Sequence, residues 1–361
     1  MRQSDMTSHA PKAAEASVPG QALEENLPDY APIPPSAFGP PLNELGYHVG
    51  SIGENLYWVT DGSYQAMFLT TETGVVVVDA PPTIGHNLLR SIDDVTRSTG
   101  KPSTVTHLVY SHAHADHVGA SGIFGDDVER VGHVETDRLL KAAGDPNRPT
   151  PTTTFDDRYT LDVGGERLEL TYHGPNHTAD NIFINAPVYG TLFVVDVMYP
   201  GWAPFQNLAL STEIPNWVKA HRQIMEYPWT TFLGGHMGRL GTRADGELLV
   251  EYVEDLTAHA TEAIAAVDPT PYFGKYGPSG NSWAMMKHYW AKVAHEAAQP
   301  VIAKYTGRLA GVDASTVENA FTMVTSLMHD GASSRARWGS GREWPGSASS
   351  MTASGIRAGG G

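Results

Sequence analysis

The chain has 361 residues, 41% of them hydrophobic and 18% charged, the balance of a globular protein long enough for one large domain or two. A formal net charge of −16 leaves no basic footprint for a nucleic-acid partner. The absence of cysteine removes disulfides, thiolate metal sites and cysteine nucleophiles together.

Taken in chain order, residues 1–42 are rich in Pro, Ala, Ser and Glu and include "PDYAPIPPSAFGPP", which reads as an extended or disordered arm lying across the surface. The first twenty residues contain no apolar h-region, and no run reaches the ~18–20 apolar residues of a membrane span. The expectation is a cytoplasmic protein with no membrane segment. From 43 to 245 the pattern is mixed α/β, with short β-branched runs: "NLYWVT", "AMFLT", "GVVVVD", "THLVY", "RLELTY", "TLFVVD" and "WTTFL". From 246 to 330 the signal is helical over "GELLVEYVEDLTAHATEAIAAV", "SWAMMKHYWAKVAHEAAQPVIAKY" and "DASTVENAFTMVTSLMHD". In the last of these, Asp313 or Ser315 is the expected N-cap, with Glu318 at capping-box spacing from Ser315. The stripe Trp283, Met285, Met286, Tyr289 and Trp290 reads as core or as an interface between copies, such as a homodimer. Residues 331–361 read as a disordered tail, with Trp338 and Trp344 the features in it able to dock.

Chemistry concentrates in "SHAHADHVG", residues 111–119. On an extended segment His112 and His114, two apart, share a face, whereas the adjacent Asp116 and His117 must diverge. Two metal sites side by side follow. A zinc-like site wants about four donors, so further ligands must come from elsewhere. They are available where apolar runs end: His177 in "GPNHTADN", Asp196 closing "TLFVVD" and His236 in "LGGHMGRLG". The ends of strands in α/β sheets converge on one rim, where ligands bind. The expected set is His112, His114 and His177 on one ion and Asp116, His117 and His236 on the other. Asp196, a carboxylate too costly to bury alone, bridges them. His48, His86, His107, His221 and His259 show no partner pattern and are assigned nothing, and His173, near the site in sequence but outside the motif, is left out.

This order of motifs resembles the metallo-β-lactamase-fold hydrolases over roughly residues 45–240. The resemblance implies an α/β (α+β) four-layer αββα sandwich, two mixed sheets face to face with the metals at one edge. The N-terminal arm and the C-terminal helices are additions to it. It also implies that Asp79 orients the metal loop without being a ligand. The ions expected are two divalent cations, zinc first, sharing a hydroxide that attacks a carbonyl or phosphoryl centre. Asp116 is the expected proton carrier.

Within the resemblance, members with a cysteine ligand are excluded by composition, and a nuclease lacks its basic exosite here. Tyr199, three residues after Asp196, resembles the lactonase tyrosine that hydrogen-bonds the substrate carbonyl or oxyanion. Trp202 and Phe205 then suggest an aromatic wall for a small apolar substrate. The expected reaction is opening of a lactone or carboxylic ester with an apolar body. The alternatives are a β-lactam hydrolase, then a glyoxalase II-like thioester hydrolase or a mono-iron dioxygenase.

Overall fold

The structure is a computed structural model, and it describes residues 27–330. The expectations for residues 1–26 and for the tail with Trp338 and Trp344 lie outside the described residues. Seven strands form one sheet in sequence order: β1 (His48–Ser51), β2 (Leu56–Thr60), β3 (Gln65–Thr70), β4 (Val75–Val78), β5 (Val105–Val109), β6 (Glu129–His133) and β7 (Thr153–Phe155). Pairing is antiparallel as far as β4 and parallel from there to β7. The parallel half needs crossovers, supplied by α1 (His86–Thr99), the short α2 (Ala115–Val118) and α3 (Val134–Ala143). Buried Leu88, Ile92 and Val95 sit at helical spacing on α1, which closes on left-handed Gly100 (φ 72°).

The second sheet runs β12-β11-β10-β9-β8, from β8 (Arg158–Val163), β9 (Glu166–Thr171), β10 (Phe183–Ala186), β11 (Thr191–Phe193) and β12 (Thr231–Leu233). Only β11 and β12 pair in parallel, joined through α4 (Gln206–Leu210) and α5 (Ile214–Glu226). After β12 come α6 (Arg243–Ala266), α7 (Thr270–Tyr276), α8 (Ser282–Tyr305) and α9 (Val312–His329). Four layers then explain three apolar interfaces. Val76, Val78 and Val109 meet Leu168, Ile184 and Phe193 between the sheets. Val75, Val77 and Phe68 meet Leu88 and Ile92 of α1 on one outside. Phe183, Leu192 and Phe232 meet Trp217, Tyr252 and Val301 on the other. The run "VVVV" is buried at every position because β4 is covered on both faces.

Two local expectations change. α9 begins behind Gly311 (φ 68°), not at Asp313 or Ser315, and Ser315 is buried inside the helix. Glycine takes the left-handed turn that starts the helix, and the Asp313 carboxylate instead accepts the Ala31 N–H at 2.6 Å. The aromatic stripe of α8 splits: Met285 is buried while Trp283 is 82% exposed.

α4 is not an ordinary helix. Asn207, Leu208, Ala209 and Leu210 all have positive φ (56°, 53°, 60° and 56°) and none is glycine. Left-handed backbone costs an L-residue roughly 1–2 kcal/mol, so four in succession require outside support. Leu208 is fully buried, and its N–H is taken by Asn319 Oδ1 of α9 at 2.7 Å.

Residues 31–39 lie across this side of the molecule. Ala37 is buried, and its carbonyl accepts the Trp202 indole N–H at 3.2 Å. A Cβ on Gly39 would fall 1.7 Å from the Gly238 carbonyl oxygen, so only glycine allows that approach. Among the described residues no helix is long and apolar enough to cross a membrane.

Candidate metal centre

Strand ends from both sheets deliver the expected donors to one rim. β4 runs into Asp79 and β11 into Asp196, and both aspartates adopt left-handed backbone (φ 60° and 62°). β5 leads through Tyr110 and Ser111 to His112, and Ile182 N–H donates to the Ser111 carbonyl at 3.1 Å, tying the two sheets together. β12 leads through Gly234 and Gly235 to His236. A Cβ on Gly235 would lie 2.6 Å from Val195 and 3.1 Å from His117, so the glycine lets His236 pass this close. Gln65 fixes that loop by donating its side-chain amide to the carbonyls of Met237 and Arg239 at 2.6 and 2.8 Å.

The donors form two adjoining groups, His112, His114, His177 and Asp196 in one, Asp116, His117 and His236 in the other, each with ligand atoms within 4.8 Å of one another. Asp196 touches both. Its Oδ2 lies 3.2 Å from His117 Nε2, 3.2 Å from His177 Nε2 and 3.5 Å from His112 Nε2, while Oδ1 lies 2.9 Å from His236 Nε2. His112, His117, His177 and Asp196 are buried, whereas His114 is exposed and Asp116 and His236 are half-buried. The centre therefore has a closed floor and opens on the side of His114, Asp116 and His236.

Electrostatics around the floor are those of a concentrated donor set. Burial holds His112 well below the ordinary imidazole range and takes His177 down to about 4. Burial also opposes charge on His117, but the Asp196 carboxylate beside it outweighs that and raises it to about 9. Burial alone would lift Asp196, and the His117 and His177 rings with hydrogen bonds from His117 and His236 bring it well below the usual carboxylate range. Asp79, fully buried, is pushed up to about 7.

Ring nitrogens face each other in pairs, His117 Nε2 with His236 Nε2 at 3.0 Å and His177 Nε2 with His114 Nδ1 at 3.3 Å. His112 Nε2 is buried with no hydrogen-bond partner among the described residues. Imidazole nitrogens and carboxylate oxygens converging in this way are the donor chemistry of a zinc-like divalent ion, and the residues fit that group. The outer nitrogens are held as well: Ser111 Oγ is 3.1 Å from His112 Nδ1, and Ser211 Oγ is 3.1 Å from His177 Nδ1. Asp79 in turn accepts both the N–H and the hydroxyl of Ser111, at 2.8 and 2.6 Å.

The three residues expected at the substrate differ in their placement. Tyr199 is 4% exposed, and its hydroxyl donates to Asp196 Oδ1 at 3.0 Å. Trp202 is half-buried, bonded to Ala37, with its ring against Gly311. Phe205 is 56% exposed at the start of α4. The residue sequence reasoning missed is Tyr64, whose ring centroid is 4.7 Å from that of His236 and whose hydroxyl is raised above its ordinary range by burial and by the Asp116 and Asp196 charges. It sits at the tip of the β2–β3 hairpin, where "DGSY" carries only a turn signal. Ser111 had a signal, its position directly before the histidine cluster.

Residues 59–208 match the model of the metallo-beta-lactamase superfamily. The chain is 26% identical over 200 residues to the 2,4-dinitroanisole O-demethylase subunit alpha of Nocardioides sp. (strain JS1661), covering 54% of this chain and 59% of that one. It is 26% identical over 162 residues to the metallo-beta-lactamase type 2 of Elizabethkingia meningoseptica, covering 42% and 61%. The matched part thus spans about three-fifths of the length of these relatives. Among solved structures, the metallo-beta-lactamase from Pontibacter korlensis aligns with a TM-score of 0.49 at 22% identity, over 58% of this chain and 99% of that one.

Proposed function

We propose that the chain, whose residues 59–208 match the metallo-beta-lactamase superfamily model, is a metal-dependent hydrolase of that kind working with two divalent ions, zinc expected in both positions. The observation that carries this reading is the convergence of seven donors from four separate segments, with Asp196 reaching into both groups. His112, His114 and His177 would hold one ion, Asp116, His117 and His236 the other, and Asp196 both. When bound, such a pair supplies Lewis-acid polarisation of the scissile group and a nucleophile at neutral pH.

The chain's own groups then divide the work. Asp116, half-buried at the opening, is placed to take the proton of the attacking water and return it to the leaving group. Tyr199 steadies Asp196 by its hydrogen bond. Tyr64 stands over His236 at the mouth, where its hydroxyl can donate to a substrate oxygen. Phe205 and Leu210, 56% and 59% exposed, offer apolar surface close to the His177 side of the centre. An uncharged lactone or carboxylic ester with an apolar body suits these features. A β-lactam amide is the second reading, favoured by the similarity to a metallo-beta-lactamase type 2.

The deciding experiment counts ions in the purified protein and then assays it on a γ-lactone, an aryl ester, a chromogenic β-lactam, an aryl methyl ether and a glutathione thioester. About two zinc ions per chain and hydrolysis of the lactone or ester, abolished in His112→Ala and Asp116→Ala, is the expected result. Full turnover in Asp116→Ala, or a single redox-active iron with oxygen consumption, would sink the hydrolytic mechanism.

A further inference from the structure

We propose that Asn319, on α9 and outside the superfamily-matched residues, is a positioning residue for His177, acting through the left-handed turn of α4. The inference rests on the metal-centre reading above. Three observations make the connection. Asn319 is fully buried, and its amide is used at both ends: Oδ1 accepts the Leu208 N–H at 2.7 Å and Nδ2 donates to the Pro204 carbonyl at 2.9 Å. It therefore grips the residues entering and forming a turn whose four positive-φ, non-glycine residues would not hold that shape unaided.

The turn hands its geometry directly to the centre. Ser211 follows Leu210 and donates its N–H back to the Leu208 carbonyl at 3.2 Å, which fixes where its side chain stands. From there Ser211 Oγ meets His177 Nδ1 at 3.1 Å, and Thr212 N–H takes the His177 carbonyl at 2.9 Å. Ring and backbone of His177 are thus both held by the segment that leaves the turn. If the turn relaxed to ordinary right-handed backbone, Ser211 would move away and the His177 ring could rotate. Strain in a segment that supports a ligand, kept in place by a buried amide from a remote helix, is the pattern expected where orientation matters more than stability.

The test is zinc affinity, read by competition with a chromogenic chelator on the full chain, separately for the two ions. Ser211→Ala and Asn319→Ala should each weaken one ion by roughly 10–100-fold and leave the other unchanged. The double variant should lose no more than either single, because both remove the same support. Adding Ala209→Gly to Asn319→Ala relieves a left-handed position, so this variant should fold even if Asn319→Ala does not, and should recover most of the lost affinity. Wild-type affinity for both ions in Asn319→Ala, additive losses in the double variant, or a folded Ala209→Gly/Asn319→Ala protein with no recovery would each overturn the inference. A wild-type chain that binds no zinc would instead remove the metal-centre reading itself.

Discussion

Tyr199 and Asp196, three residues apart, are joined by a 3.0 Å hydrogen bond from the phenol to Oδ1, with both side chains buried. The carboxylate that reaches both donor groups thus has one oxygen anchored from the protein side. Burial, and then the neighbouring Asp196 charge, pushes the Tyr199 hydroxyl well above its ordinary range, so it stays a donor. Tyr199→Phe keeps the shape and removes that donor. Under the proposed function, kcat should fall about tenfold and zinc affinity by a similar factor, with KM unchanged. A raised KM at constant kcat would return Tyr199 to the substrate.

Asp79 sets the direction of a second hydrogen-bond chain. The Ser111 hydroxyl donates to Asp79, so its oxygen is free to accept from His112 Nδ1–H, which leaves the His112 Nε2 lone pair facing the centre. Asp79→Asn tolerates the same left-handed backbone but can donate to Ser111 Oγ, which reverses the chain and moves the imidazole hydrogen to Nε2. The variant should fold with a near-normal melting temperature and bind zinc roughly 10–100-fold more weakly. Unchanged affinity would show that Asp79 does not control this tautomer.

His221 is buried under Trp217, with its ring Nδ1 3.0 Å from the Trp217 carbonyl. Burial lowers it to about 4, against an ordinary value of 6.5. The unfolded chain therefore binds this proton first, so stability is full above about pH 6.5 and is lost as the pH falls towards 4. The loss from this group alone is roughly 3 kcal/mol. Urea unfolding of wild type and His221→Phe between these pH values should show a shallower dependence in the variant by about that amount. Parallel curves would refute it.

The arm predicts a stability effect without a kinetic one. Trp202→Ala should remove the bond to Ala37 and the cover over Gly311, costing roughly 1–3 kcal/mol and lowering the melting temperature by several degrees. Deleting residues 1–38 should cost at least as much, because it also removes the bond from Ala31 to Asp313, and the two changes should add only in part, because both break the Trp202–Ala37 bond. A KM change with an unaltered melting curve would mark Trp202 as a substrate contact.

What was legible in the sequence follows from what sequence can carry. The donors could be read because residue type and spacing at strand ends are local: "HAHADH" on one segment, then single histidines and an aspartate closing apolar runs. Tyr199 was legible as a neighbour of Asp196 but not as a buried one, since the same spacing serves either direction. Five strands, β1, β6, β7, β8 and β10, escaped because they are short or alternate weakly, as in "HVGS" and "TTF". α4 was not legible at all. "QNLAL" contains no glycine, and its left-handed turn is imposed by Asn319, 111 residues beyond Leu208.

The bond between the Ala31 N–H and the Asp313 carboxylate joins residues 282 positions apart. During synthesis the strap therefore emerges long before its anchor, and at about 5–20 residues per second it would wait roughly 15–60 s for a partner. Its other seats, at Trp202 and Gly238, also appear late. The newborn chain must carry this segment loose past every strand of both sheets, and the clasp across the His236 loop closes among the last events of assembly.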